Sequence, residues 1–166
     1  FPSVADQDDD FYSKAIEVAL MFARNQNEIC TAPSRILVHE DIADDVIENI
    51  QERLSAIKTG NPLEPETMIG SQVSKPQYEK ILNYINIGKE EGALVLAGGD
   101  AGNYGGEISE GYYIQPTVLK GTNDMRVFQE EIFGPVVALT TFSSTEEAIA
   151  IANDTPYGLG AGVWSR

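Results

Sequence analysis

Apolar residues recur at helical spacing near the start of the chain, with Phe11, Ala15, Ala19 and Phe22 forming a stripe. Tyr12, Ile16, Val18, Leu20 and Met21 widen that stripe until little polar face remains, which predicts a mostly buried helix ending near Asn25. The acidic run Asp8-Asp9-Asp10 suits its N-terminus. Ile36-Leu37-Val38 reads as a strand beginning at Arg35. Asp41 is placed to cap a second helix with the stripe Ile42, Val46, Ile47, Ile50, Leu54 and Ile57, stopped by Gly60-Asn61-Pro62. Ser74 to Gln77 has capping-box spacing ahead of a helix that buries Tyr78, Ile81, Leu82 and Ile85, and Gly92 is placed to end it.

Leu94-Val95-Leu96 reads as a strand, and the glycine-rich residues 98–106 as an exposed loop. That loop leads into no helical pattern, which argues against a phosphate cradle. Further strands are predicted from Tyr113 to Leu119, with Pro116 demoting part of it, from Val136 to Phe142, and from Gly160 to Trp164. Ser144 to Glu147 is a second capping box, opening a helix with Ala148, Ile149 and Ala152. Strands alternate with helices, and several strands are apolar on both faces. The expected fold is α/β: a layered α/β/α domain with a mainly parallel sheet.

The length, 166 residues, suits one domain with its own core. No run approaches the roughly 20 apolar residues of a membrane helix. A net charge of −15 repels phosphate backbones and anionic lipid, so neither nucleic acid nor membrane is an expected partner. The plain reading of that charge is solubility. The single cysteine makes no internal disulfide and, with a single histidine, no expected metal site. It favours a reducing, cytoplasmic setting. His39, beside Glu40 at a strand end, reads as surface.

Cys30 is the one candidate nucleophile. A lone cysteine after a buried helix is ordinarily an inert core thiol. Here it lies between the polar runs Asn25-Gln26-Asn27-Glu28 and Pro33-Ser34-Arg35, on a loop flanked by buried elements, where catalytic groups often sit. The residue types alone leave both readings open. The same holds for Glu130-Glu131-Ile132-Phe133-Gly134-Pro135: a plain helix-to-strand turn, with both carboxylates solvated and Phe133 in the core, fits the composition.

Residues 25–35 resemble the cysteine signature of the NAD(P)-dependent aldehyde dehydrogenase family, and residues 130–135 are similar to its EEIFGP motif. Gly111 to Thr117 and Asn153 to Leu159 resemble two further segments, and all four stand in the family's order and spacing through essentially the whole chain. The resemblance implies oxidation of a small aldehyde to a carboxylic acid, through a thiohemiacetal and then a thioester on Cys30, with hydride transfer to NAD or NADP. The backbone N–H of Cys30 would serve the oxyanion, Glu131 would bond the nicotinamide ribose, and Phe133 would lie beside the nicotinamide. Homo-oligomers are the family's habit, and exposed sheet edges favour self-association.

The family usually has glycine where Asn27 stands and an aromatic residue where Arg24 stands. Asn tolerates a left-handed backbone better than most residues. The family's dinucleotide-binding domain, general-base glutamate and oxyanion asparagine have no counterpart here. The expectation is that residues 1–166 form a catalytic thiol domain truncated at both ends, which alone binds NAD(P) weakly or not at all and does not turn over. The alternative is a non-catalytic structural or association fragment of the same fold.

Overall fold

The computed structural model describes residues 1–5 and 10–166; the expected acidic start at Asp8-Asp9 lies outside them. Strand β4 (Val136–Phe142) is the axis of the molecule. Alternate residues of a strand point to opposite faces. Val137 and Leu139 therefore enter one hydrophobic cluster, and Val136 and Ala138 enter the other. Two buried faces leave no place for polar alternation, which is why this stretch is apolar almost throughout. Strands β1 (Arg35–His39) and β3 (Thr117–Lys120) flank β4 in parallel. Strand β2 (Leu94–Ala97) pairs antiparallel with β3 on the outside, so the sheet order is β1-β4-β3-β2.

Helices cover both faces. On one, α1 (Phe11–Ala19), α2 (Met21–Arg24) and α3 (Ala43–Ser55) pack Ile16, Leu20, Phe22, Val46, Ile50 and Leu54 against Val38, Val118, Val137 and Leu139. On the other, α4 (Lys75–Glu90) and the short α5 (Arg126–Gln129) bring Ile81, Ile85, Val127 and Phe128 onto Leu119, Val136 and Ala138. Each fully buried side chain of this size contributes about 1.5–3 kcal/mol. α6 (Thr145–Asn153) follows β4. The architecture is the expected α/β/α layering, with two parallel strand pairs and one antiparallel edge pair. Among the described residues no helix is long and apolar enough to cross a membrane.

Several local expectations are corrected. The first helix breaks at Leu20. In an unbroken helix Leu20 and Phe22 would point about 160° apart. The break lets both be fully buried and leaves Val18 and Met21, 39% and 44% exposed, facing out. Asp41 does not cap α3 with its side chain. Instead His39 Nδ1 accepts the Asp41 N–H at 3.2 Å, opening a short 3-10 turn over Glu40–Ile42. His39 also sets its ring edge-on against Phe142 at 5.4 Å and is half-buried, not a surface residue.

The Ser74 cap forms, its Oγ accepting the Gln77 N–H at 3.4 Å, and Gly92 follows α4 with φ +96°. The strand expected from Tyr113 starts only at Thr117, because Pro116 has no N–H for the ladder; Ile114 makes an isolated bridge to Ala101. Leu94, 61% exposed, marks β2 as an edge strand. Residues 160–164 form no strand. Gly160-Ala161-Gly162 has almost no side chain to bury. The segment is held instead by Trp164, whose carbonyl accepts from the Phe1 ammonium at 3.3 Å and whose ring lies 5.2 Å from that of Phe11.

Candidate active site

Because β1, β4 and β3 are parallel neighbours, their N-terminal ends share one edge of the sheet. The segments that enter them are residues 25–34, 130–135 and 111–116. Three of the four motif segments are therefore adjacent in space, although they are far apart in sequence. The Ser34 carbonyl accepts the Ala138 N–H at 3.0 Å, and the Pro135 carbonyl accepts the Thr117 N–H at 2.8 Å. The fourth segment joins them through Tyr157, whose hydroxyl accepts the Glu131 N–H at 3.3 Å.

The Cys30 loop starts where α2 ends. Gln26 and Asn27 both take the left-handed backbone, at φ +59° and +52°, which turns the chain back. The Asn27 N–H is held by Asn25 Oδ1 at 2.9 Å. Gln26 works as a two-ended anchor: Oε1 accepts the Gly70 N–H at 2.9 Å, and Nε2 donates to the Ser71 carbonyl and to Glu28 Oε2, both at 3.2 Å. Asn27 is buried, and its Nδ2 donates to the Val136 carbonyl at 3.3 Å. A turn closed by the Ala32 N–H on the Ile29 carbonyl at 3.0 Å then presents Cys30.

Cys30 is free and exposed, so it is not a core residue. The Cys30 N–H donates to no acceptor among the described residues. Arg24 turns away from the loop to pair with Glu17 at 2.7 Å.

The two glutamates of the second motif have different fates. Glu130 receives two bonds from the Arg126 guanidinium, at 2.9 and 3.0 Å, and one from the Tyr84 hydroxyl at 2.6 Å. Arg126 foremost, then Tyr84, holds its carboxyl down to about 2. The same contacts push the Arg126 guanidinium and the Tyr84 phenol up. Glu131 is exposed, and its carboxylate bonds nothing among the described residues.

Phe133 is half-buried and left-handed, φ +58°, a conformation that costs a non-glycine residue roughly 1–2 kcal/mol. Gln77 holds it there, with Nε2 donating to the carbonyls of Ile132 at 3.1 Å and Phe133 at 2.6 Å. Strain of this kind concentrates at functional sites. The segment does connect a helix to a strand and leaves Glu131 solvated, but Glu130 is ion-paired and Phe133 stays outside the core.

The remaining links close the network. Ser71 Oγ accepts the Tyr112 N–H at 3.2 Å, and the Tyr112 carbonyl accepts the Gln72 N–H at 2.8 Å. The Tyr112 ring lies 5.7 Å from that of Tyr78 on α4, one residue from Gln77. Arg35 donates to the Ile151 and Ala152 carbonyls at 3.0 and 2.9 Å, closing the C-terminal end of α6 as a cation should. Burial pushes this guanidinium down, and Asp154 partly counters it.

Sequence reasoning missed Gln26, Gln77, Arg35 and Tyr157 as organisers. For Gln77 the capping-box spacing was a signal of the wrong partner. Its backbone N–H uses the Ser74 cap, but its side chain reaches the Phe133 segment instead of the helix start.

Known proteins resemble the chain in sequence and in fold. The family described as the aldehyde dehydrogenase family matches residues 2–166. An aldehyde dehydrogenase from Paracoccus denitrificans is 60% identical over all of the chain, which covers 33% of that protein. The HpcC structure from Thermus thermophilus superposes with a TM-score of 0.89 at 42% identity, covering 93% of the chain and 31% of its own. A mutant of the P. syringae indole-3-acetaldehyde dehydrogenase AldA, in complex with NAD+ and IAA, gives 0.84 at 45% identity over 91% of the chain and 30% of its own. The chain thus spans about a third of the length of the relatives it matches. The match to the family over residues 2–166 shows that the chain belongs to the aldehyde dehydrogenase family.

Proposed function

We propose that this chain is the thiol-bearing catalytic domain of an NAD(P)-dependent aldehyde dehydrogenase, converting a small aldehyde to its carboxylic acid in the complete protein. The observation that carries the reading is an exposed Cys30 whose own N–H is uncommitted, on the sheet edge shared with Glu131 and Phe133. The thiolate of Cys30 adds to the carbonyl carbon, and the carbonyl π pair moves to oxygen. The Cys30 N–H is available to hydrogen-bond the resulting oxyanion, a contact that strengthens as charge develops. Water later splits the Cys30 thioester, releasing the acid and restoring the thiol.

The residues present suit the nicotinamide end of the cofactor. Glu131 offers an uncommitted carboxylate to a ribose, and Phe133 offers a partly exposed ring on a backbone held by Gln77. When bound, a nicotinamide cofactor supplies the hydride acceptor for the oxidation. The chain alone holds too little of a dinucleotide site to retain NAD(P), so it does not oxidise aldehydes in isolation. The complete protein works as a homo-oligomer in the cytoplasm.

A cofactor-independent assay tests the thiol chemistry. An activated ester such as p-nitrophenyl acetate should release about one equivalent of nitrophenolate in a burst and leave an acetyl group on Cys30. Cys30→Ala should abolish the burst. A burst that survives Cys30→Ala, or acyl groups found elsewhere by mass spectrometry, would refute the assignment and favour a structural or association role.

A further inference from the structure

We infer that Asn27 is a positioning residue, whose side-chain amide ties the Cys30 loop to the first carbonyl of β4 and so fixes the Cys30 N–H where it meets substrate. This deepens the functional reading above and rests on it. Asn27 is buried with φ +52°, a combination that a solvated loop residue has no need of. Its Nδ2 donates to the Val136 carbonyl at 3.3 Å, two residues ahead of Ala138, which pairs with Arg35 as β1 begins. The amide thus supplies a donor to β4 beyond the end of β1, from three residues before the thiol. Val136 is itself joined to the second motif, its N–H bonding the Gly134 carbonyl at 2.6 Å. One amide therefore sets the distance between the Cys30 turn and the segment that carries Glu131 and Phe133. Asn25 Oδ1, on the Asn27 N–H at 2.9 Å, fixes the backbone from which that amide projects.

Two substitutions separate the tether from the backbone conformation. Asn27→Gly accepts the left-handed backbone freely but has no donor. Asn27→Asp keeps the shape and much of the left-handed tolerance, but its carboxylate only accepts hydrogen bonds and faces a carbonyl. The full 166-residue chain is reacted in parallel with p-nitrophenyl acetate and with iodoacetamide, and both are read at Cys30, its only thiol, by mass spectrometry. Acylation builds an oxyanion and so depends on where the Cys30 N–H points, whereas alkylation does not.

The expected result is a fall of about tenfold in the acylation rate for both variants, with alkylation within twofold of wild type and a preserved thermal transition. Acylation by Asn27→Gly at the wild-type rate, or an equal fall in acylation and alkylation, would overturn the tether. If Cys30→Ala still acylates, the functional reading itself fails and takes this inference with it. If Cys30→Ala is silent while both Asn27 variants acylate normally, only the tether fails. Should either variant unfold, exchange of the Asn27 side-chain amide in the wild type decides instead, a slowed Nδ2 proton being the expected result. An Asn27 Nδ2 that exchanges as fast as that of the exposed Asn103 would overturn the tether.

Discussion

Gly134 packs against α4 at a distance that no other residue tolerates. A Cβ built there would lie 2.3 Å from Ile81 Cδ1, 2.5 Å from Cγ1 and 3.2 Å from Cγ2. Ile81 has no room to retreat, since it is fully buried in the cluster with Ile85, Leu119 and Val136. Gly134→Ala should therefore cost about 1–3 kcal/mol through overpacking. In a chain of this size that lowers the thermal midpoint by roughly 2–4 °C for each kcal/mol. Ile81→Ala alone should cost about 2–5 kcal/mol by opening a cavity.

The double variant is the informative one. The new methyl at position 134 enters the space that the Ile81 side chain vacates, so the double variant should be more stable than the sum of the single costs predicts. Residues in direct contact couple by about 0.5–3 kcal/mol, and a value above about 1 kcal/mol is expected here. Urea unfolding followed by circular dichroism gives all four stabilities. Costs that add to within about 0.5 kcal/mol, or a Gly134→Ala chain as stable as wild type, would show that close approach to α4 is not what selects glycine.

Arg35→Met should destabilise the chain by about 1–2 kcal/mol in urea unfolding, since two α6 carbonyls lose a charged donor, one of them already wetted. A change under about 0.5 kcal/mol would mean that water replaces the guanidinium without loss. The Glu130 carboxyl sits at about 2 in the folded chain against 4.5 ordinarily. A depressed carboxyl adds stability that is complete above about 4.5 and drains away as pH falls toward about 2. Glu130→Gln should thus lower the thermal midpoint near neutrality by an amount that shrinks through that window, and a difference independent of pH would refute the pairing with Arg126. Because Glu130 is partly exposed, solvent screening keeps the effect modest.

The elements visible from sequence are those whose own residues decide them. β4 is apolar on both of its faces, and α4 carries its cap and its stop in Ser74 and Gly92. What stayed hidden needed a partner. The break at Leu20 resolves a competition between Leu20 and Phe22 for the same core, and periodicity within one helix does not announce that core. Gly160 to Trp164 reads as a strand until a neighbouring edge is required, and no described strand pairs with it. In the site, Cys30, Glu131 and Phe133 were legible through the motifs around them. Their supports were not. Gln26 bonds a carbonyl 45 residues away and Arg35 one 117 residues away, and a polar side chain in a sequence carries no address. The glutamate pair shows the limit most clearly, because two identical neighbours divide into an ion-paired Glu130 and an open Glu131 only once Tyr84 and Arg126 arrive.

The position of β4 between β1 and β3 sets an order of events as the polypeptide leaves the ribosome. Among the described residues β1 has β4 as its one neighbour in the sheet, and β4 follows it by about a hundred residues. At roughly 5–20 residues per second of synthesis, β1 waits on the order of 5–20 s for that partner. The strand that ends this wait also brings the Val136 carbonyl, so the bond that Asn27 makes beside the Cys30 turn forms only once β4 has been made.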